Sequence, residues 1–309
     1  MGAPPGDTVT RSSQRAPLLT ALFDLALALA LALHLCAPTA QAGQVIRFAP
    51  VPLEESKIVH EQFEGLVNYL QEQTGFEIRW VALSDNAEIV RQFRAGAIDL
   101  AYLGPLPYVI LARDHPAARP LCCFRDADGE TAYTCSLITV AESGLSLERL
   151  KGVRFGLTQP YSTCGYLASS QMLAAAGLSL TGDGNSYSYA GNHSAAALGV
   201  AQGKYEVAGV KTSIAGRYRH LGLDVIATSP SYPGFSLVAN AATLDEPTLE
   251  RLQEVVLRLD RARHPELAGR MKTWGEQIRN GTVPHGHCDF SGVAAALANL
   301  PWPIPEASP

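Results

Sequence analysis

Gly152-Val-Arg-Phe-Gly-Leu-Thr-Gln-Pro-Tyr-Ser-Thr-Cys-Gly165, followed by an Ala-rich apolar segment that ends at Gly177, reads as strand, loop and helix start. Val153 to Leu157 form the strand, Pro160 breaks the loop, and Ser162, Thr163 and Cys164 occupy the first helical turn, in a helix expected over Thr163 to Ala176. A helix start exposes unpaired N–H groups and the positive end of the macrodipole, so small hydroxyl side chains there make an anion site. The same residues also suit an ordinary helix cap that binds nothing.

Outward from this stretch the chain alternates strands and helices. Val45 to Ala49 is an apolar strand stopped by Pro50 and Pro52, and Val59, Phe63, Leu66, Val67 and Leu70 recur at helical spacing until Gly75. A strand over Phe76 to Leu83 follows. A helix capped by Asp85 or Asn86 carries Ile89, Val90 and Phe93 and ends at Gly96, and Ile98 to Leu103 is a third strand. This order is the signature of a parallel α/β sheet. Leu121 to Val140 reads as a hairpin, turned at Asp126 to Glu130, that leads into a crossover strand from Tyr133. A second α/β unit has further strands at Val207 to Val210 and Asp224 to Ala227, with helices at Ser194 to Gln202 and Thr212 to His220. Phe235 to Asn240 is a strand able to return to the first unit. Leu249, Leu252, Val255, Val256 and Leu259 mark an outer helix.

The 309 residues suffice for two domains and a large core, and 47% hydrophobic with 17% charged residues is ordinary for a globular chain. A net charge of -5 with no basic run excludes a nucleic-acid-binding surface. Residues 1–42 differ from the rest: Arg11 and Arg15, an apolar tract from Leu18 to Leu35, then Ala40-Gln41-Ala42. They are read as a cleaved secretory signal with Gly43 first in the mature chain, and an uncleaved anchor is the alternative, weakened by Asp24 and His34. A lipid anchor on Cys36 is disfavoured by the bulky residues before it. Export to an oxidising compartment favours paired cysteines, and an odd set remains: Cys122, Cys123, Cys135, Cys164 and Cys288. At least one of these is therefore free or bonded elsewhere.

Four motifs then carry a family resemblance. Arg94-Ala-Gly-Ala-Ile-Asp-Leu-Ala-Tyr-Leu-Gly-Pro-Leu-Pro-Tyr108, Tyr133-Thr-Cys-Ser-Leu-Ile138, Pro160-Tyr-Ser-Thr-Cys-Gly165 and Tyr189-Ala-Gly-Asn-His-Ser-Ala-Ala-Ala-Leu198 stand in the order found in one family. They resemble stretches of the PhnD-like periplasmic phosphate, phosphite and phosphonate binding proteins. The resemblance implies a type II periplasmic-binding-protein fold: two α/β lobes joined by two crossover strands, with the ligand in the cleft. Lobe 1 would be residues 43–134 plus 230–300, lobe 2 residues 135–229, and 301–309 a loose tail. It further implies a small oxyanion on Ser162, Thr163 and the amides of Cys164 and Gly165. Tyr133 and His193 would close around the ion, with Leu103 and Gly104 supplying backbone from lobe 1. No cofactor, no metal and no enzymatic activity are implied. The partner would be an inner-membrane ABC permease or sensor kinase, and the protein a periplasmic monomer.

The departures matter as much. Lys211 stands where aminophosphonate binders have an acidic residue, and would repel a cationic ligand head. Cys135 and Cys164 replace two of the family's serines. As thiols facing the cleft they would suit a soft partner such as trivalent arsenic, which fits the family's arsenite-sensing branch. Alternatively Cys122 or Cys123 forms a hairpin disulfide with Cys135. His193 reads equally as a ligand contact or a helix-capping residue. An exported enzyme with Cys164 as nucleophile and His193 as base is the other function class. His285-Gly-His287-Cys288-Asp289 contains metal-ligand types but matches no specific finger spacing. Tyr102 and Tyr108 read as packing residues, and the acidic pairs Glu54-Glu55 and Asp126-Asp128 as solvated turns.

Overall fold

The computed structural model describes residues 43–300 together with Met1, Gly2, Gly6 and Ile304. The proposed leader, with Cys36, and the tail lie outside the described residues, except for these few positions. Residues from Gln44 onward form one compact unit.

The chain opens with β1 (Val45–Pro50), α1 (Ser56–Thr74), β2 (Glu77–Trp80), α2 (Asn86–Arg94), β3 (Leu100–Leu103) and α3 (Pro105–Asp114). The apolar stripe of α1 buries Val59, Phe63, Leu66, Val67 and Leu70, and Gly75 ends the helix in the left-handed conformation at φ +75°. β1 lies between β2 and β3, parallel to both, as the alternation of strands and helices requires.

The next stretch departs from the expected hairpin. β4 (Ala118–Phe124), β5 (Ala132–Tyr133) and β6 (Cys135–Val140) pair with other strands, not with each other. Then come β7 (Arg154–Leu157), a π-wound turn over Thr163–Ala168 continuing into α4 (Ser169–Ala175), β8 (Ser186–Tyr189), α5 (His193–Ala201), β9 (Val207–Lys211), α6 (Thr212–Arg217) and β10 (Leu223–Thr228). Strand β8 was not anticipated: Ser186-Tyr-Ser-Tyr189 is a short polar alternation flanked by glycines and is exposed on one face. The chain ends with β11 (Tyr232–Pro233), β12 (Ser236–Asn240), α7 (Glu246–Leu257), α8 (Pro265–Met271), β13 (Thr282–Val283) and α9 (Ser291–Ala298).

Two sheets organise these elements. One has the order β13-β4-β12-β3-β1-β2 and the other β10-β6-β9-β7-β8. The chain passes from the first to the second at Thr134 and returns after β10, and at both crossings it runs through the small antiparallel ribbon β5–β11. β12 does return to the first sheet, between β3 and β4. Because β4 and β6 belong to different sheets, the loop between them is a crossover and cannot hold the Cys122 or Cys123 to Cys135 bridge. The bond that forms is Cys135–Cys164, joining β6 to the π turn. Cys122, Cys123 and Cys288 are free and buried.

Candidate functional site

A cavity of about 20 Å³ lies between the two sheets, lined by Val51, Pro52, Leu53, Asn86, Gly104, Pro107 and Phe235 on one side. Tyr133, Thr158, Gln159, Ser162, Thr163, Cys164, His193 and Lys211 line the other. Four helices start at it: α2 at Asn86, α3 behind its N-cap Gly104, the π turn behind its N-cap Ser162, and α5 at His193. Each start brings a partial positive charge of roughly half an electron; α3 opens on Pro105-Leu106-Pro107 with its Leu106 N–H taken by Thr163, so it adds its dipole and no free donor. Their convergence makes the cavity electropositive without a free cation.

The loop of the opening stretch is held in a fixed shape. Ser162 Oγ accepts the Gly165 N–H at 3.0 Å, and the N–H groups of both Tyr166 and Leu167 reach Ser162 O, at 3.1 and 3.2 Å. The doubled acceptance widens the first turn into π geometry, a form frequent at functional sites. A Cβ on Gly165 would sit 2.3 Å from Thr158 Oγ1 and 2.6 Å from Thr158 N, so only glycine fits. The Cys135–Cys164 disulfide ties the same turn to β6.

His193 is buried and its Nδ1 accepts the Lys211 N–H at 3.1 Å. Desolvation, then the nearby charges of Lys211 and Arg217, lower its pKa to about 3. The ring is therefore neutral at physiological pH with its proton on Nε2, an uncharged donor on a cavity-lining residue. Thr163 Oγ1 accepts the Leu106 N–H at 3.0 Å across the cleft and also bonds the Tyr133 hydroxyl. Burial raises the Tyr133 pKa far above its ordinary value, so that hydroxyl keeps its proton.

Lys211 does not present a bare charge. It forms an ion pair with Asp126, both side chains nearly buried, and lies 5.0 Å from the Tyr133 ring centre and 5.8 Å from that of Phe235. Asp126 is thus no solvated turn residue. Neither is Glu54, which is buried and pairs with Arg217 at 3.2 Å. Both pairs join residues on opposite sides of the cleft.

Of the residues singled out in the sequence, Ser162, Thr163, Cys164, His193, Tyr133, Lys211 and Gly104 line the cavity. Leu103, Cys135 and Gly165 do not. Leu103 is sealed in the core at the end of β3, Cys135 lies behind the disulfide, and the Gly165 amide is already used by Ser162. Since Cys135 and Cys164 are bonded, neither offers a thiol to a soft ligand, and the nucleophile of the enzyme reading is gone.

Three polar lining residues escaped the sequence reading. Gln159 spans the cleft: its Oε1 accepts the Asn86 N–H at 3.2 Å, and its Nε2 donates to Pro52 O at 2.7 Å and to Gly191 O at 2.6 Å. Asn86 Oδ1 and Thr158 Oγ1 are buried without a hydrogen-bond partner. Such atoms cost about 1–3 kcal/mol each unless something satisfies them. Asp85 takes the helix cap by accepting the Glu88 N–H at 2.8 Å, and this frees the Asn86 side chain for the cavity. Either residue could have capped α2, so the sequence held that signal only as an ambiguity.

The family model described as "ABC transporter, phosphonate, periplasmic substrate-binding protein" matches residues 48–277. The chain belongs to this family. Among curated relatives of this phosphonate-binding family, the phosphate-import protein PhnD of Mycolicibacterium smegmatis is 29% identical over 169 residues, 52% of this chain and 53% of that protein. The match therefore spans about half of that relative's length. Among solved structures, PhnD1 from Prochlorococcus marinus in complex with methylphosphonate superposes with a TM-score of 0.70 at 18% identity, covering 83% of this chain and 99% of that one. A binding component of an ABC phosphonate transporter from Pseudomonas aeruginosa gives 0.65 at 24% identity, covering 76% and 80%. These likenesses carry the fold, that of a type II periplasmic binding protein.

Proposed function

We propose that this protein is a periplasmic receptor for a compact phosphorus oxyanion, such as phosphate, phosphite or methylphosphonate, which it delivers to an ABC permease. The observation that carries the reading is the convergence of four helix N-termini on a cavity of about 20 Å³ that also contains the unpartnered Asn86 and Thr158 oxygens. Its small volume favours a compact tetrahedral ligand over one that carries an extended substituent. Helix dipoles and neutral donors, namely the Thr158 and Ser162 hydroxyls and His193 Nε2–H, meet the negative charge.

Asn86 adds a selective element. Its acceptor oxygen complements a ligand that still carries a P–OH proton, which sulfate lacks at neutral pH. Asp126 is already paired with Lys211, so the site offers no free carboxylate to an aminophosphonate's ammonium group. Ligand contact with both walls stabilises the closed form, and a permease recognises that form. An arsenic oxyanion with a sensor kinase as partner rested on two free thiols, and the Cys135–Cys164 bond removes that support.

A calorimetric titration panel of phosphate, phosphite, methylphosphonate, 2-aminoethylphosphonate, sulfate, arsenate and arsenite tests this. Tight binding is expected for one of the first three, with sulfate and 2-aminoethylphosphonate weaker by at least about tenfold, about 1.4 kcal/mol. Binding of arsenite alone, or of 2-aminoethylphosphonate above all others, sinks the reading.

A further inference from the structure

A second pair of cysteines lies away from the cleft, and nothing in the binding site uses it. Cys123 lies on β4, in register with Val283 of β13. Beyond Val283 the chain turns back through a 3₁₀ turn over His285–His287, in which Cys288 N donates to His285 O at 3.0 Å. The same carbonyl lies 3.9 Å from Cys123 Sγ, so the turn folds Cys288 over Cys123. With Val283 the two form a small buried cluster of their own.

We propose that Cys123 and Cys288 form a second disulfide, which fastens the segment from β13 to α9 onto β4. The alternative use of two adjacent sulfurs is a metal, but among the described residues no group of three or more His, Cys, Asp and Glu side chains can hold one. Cys122 cannot take either place: the pleat sends it to the opposite face of β4, where it is sealed and its thiol is pushed up by burial. Pairing Cys123 with Cys288 thus leaves Cys122 as the odd thiol of the five.

The chemistry is thiol–disulfide exchange with an external disulfide oxidant. The Cys288 thiolate attacks one sulfur of the oxidant, forming a mixed disulfide and releasing a thiolate. Cys123 then loses its proton and attacks Cys288 Sγ, forming the new S–S bond and expelling the second thiolate. The protein loses two electrons and two protons, and the oxidant becomes two thiols. Cys288 suits the first step. It lines an open pocket of about 400 Å³ beside the β5–β11 ribbon, and its bond with Cys123 lowers its pKa while raising that of Cys123.

The test is to oxidise the purified protein with excess oxidised glutathione, denature it, alkylate the remaining thiols and map the peptides. The expected result is a Cys123–Cys288 linked peptide and alkylation of Cys122 alone among the five cysteines after residue 42. Alkylation or glutathionylation of Cys123 and Cys288 while Cys135–Cys164 stays bonded overturns the proposal. In Cys288→Ser, Cys123 becomes alkylatable and Tm falls by at least about 2 °C relative to the oxidised parent, a gap that closes in reductant. An equal Tm for the two oxidised proteins also overturns it.

Discussion

The two walls of the cleft are built on opposite plans. The wall from the second sheet is polar and pre-ordered: Ser162 caps its own helix, the disulfide pins the turn, and His193 is oriented by the Lys211 amide. Among the described residues, the wall from the first sheet is mostly apolar side chain and bare backbone, Val51 to Leu53, Gly104, Pro107 and Phe235, with Asn86 as its polar side chain. On the proposed function, an anion would dock on the polar wall before the other arrives, and closure would add the Leu106–Thr163, Pro52–Gln159 and Asn86–Gln159 bonds between the walls. A site divided in this way would tie ligand capture to a shape change.

The comparison breaks most severely at the pre-ordered wall. Gly165→Ala places a Cβ into Thr158 and is expected to destabilise the protein by about 1–3 kcal/mol through overpacking and to abolish anion binding, read by thermal melts and calorimetry. Thr163→Val removes the acceptor of the Leu106 N–H and so acts on closure. Leaving that amide unpaired costs about 1–3 kcal/mol, seen as a fall in affinity of tenfold or more with a much smaller change in Tm. Equal losses in both would mean that Thr163 serves the fold and not the closed state.

Asn86→Ala sharpens the reading of the opposite wall. Its Oδ1 has no partner in the protein, so Tm should hold or rise slightly, while affinity drops by about fivefold, near 1 kcal/mol. Unchanged affinity would remove Asn86 from the site. The last expected effect is on pH, and it is silent near neutrality. The pKa of His193 is lowered to about 3 in the fold, so the unfolded chain binds a proton at His193 that the folded one does not between the ordinary value and that point. Stability from this residue is complete above about pH 6.5 and is lost as pH falls toward 3. His193→Gln should flatten that part of the profile in denaturant melts.

Much of this was legible before the fold was known. The run Gly152 to Gly165 announced a strand, a loop and a polar helix start by local chemistry alone, and Val45 to Leu103 announced a parallel sheet by its alternation. Long-range pairing was not. Leu121 to Val140 has the pattern of a hairpin, yet its strands join different sheets, because strand propensity does not name a strand's partner. The same blindness hides the disulfide: the sequence offers Cys135 as a cleft-facing thiol or as a partner of the nearby Cys122 or Cys123, while the cysteine it bonds lies 29 residues on. Asn86, Thr158 and Gln159 are ordinary polar residues in sequence and become conspicuous only once burial leaves two of their oxygens unpaired.

The sequence by itself determined most of the strands and helices, the odd thiol count after residue 42 and the polar residues at the start of the π turn, because these depend on backbone geometry and composition within a few residues. Only the tertiary structure decided that four helix starts meet at one small cavity, that Lys211 is neutralised by Asp126, and that Cys164 is bonded and not reactive. Those facts depend on which distant groups burial forces together, and the cost of leaving a buried charge or hydrogen-bonding atom unmatched acts only after the chain has closed on itself.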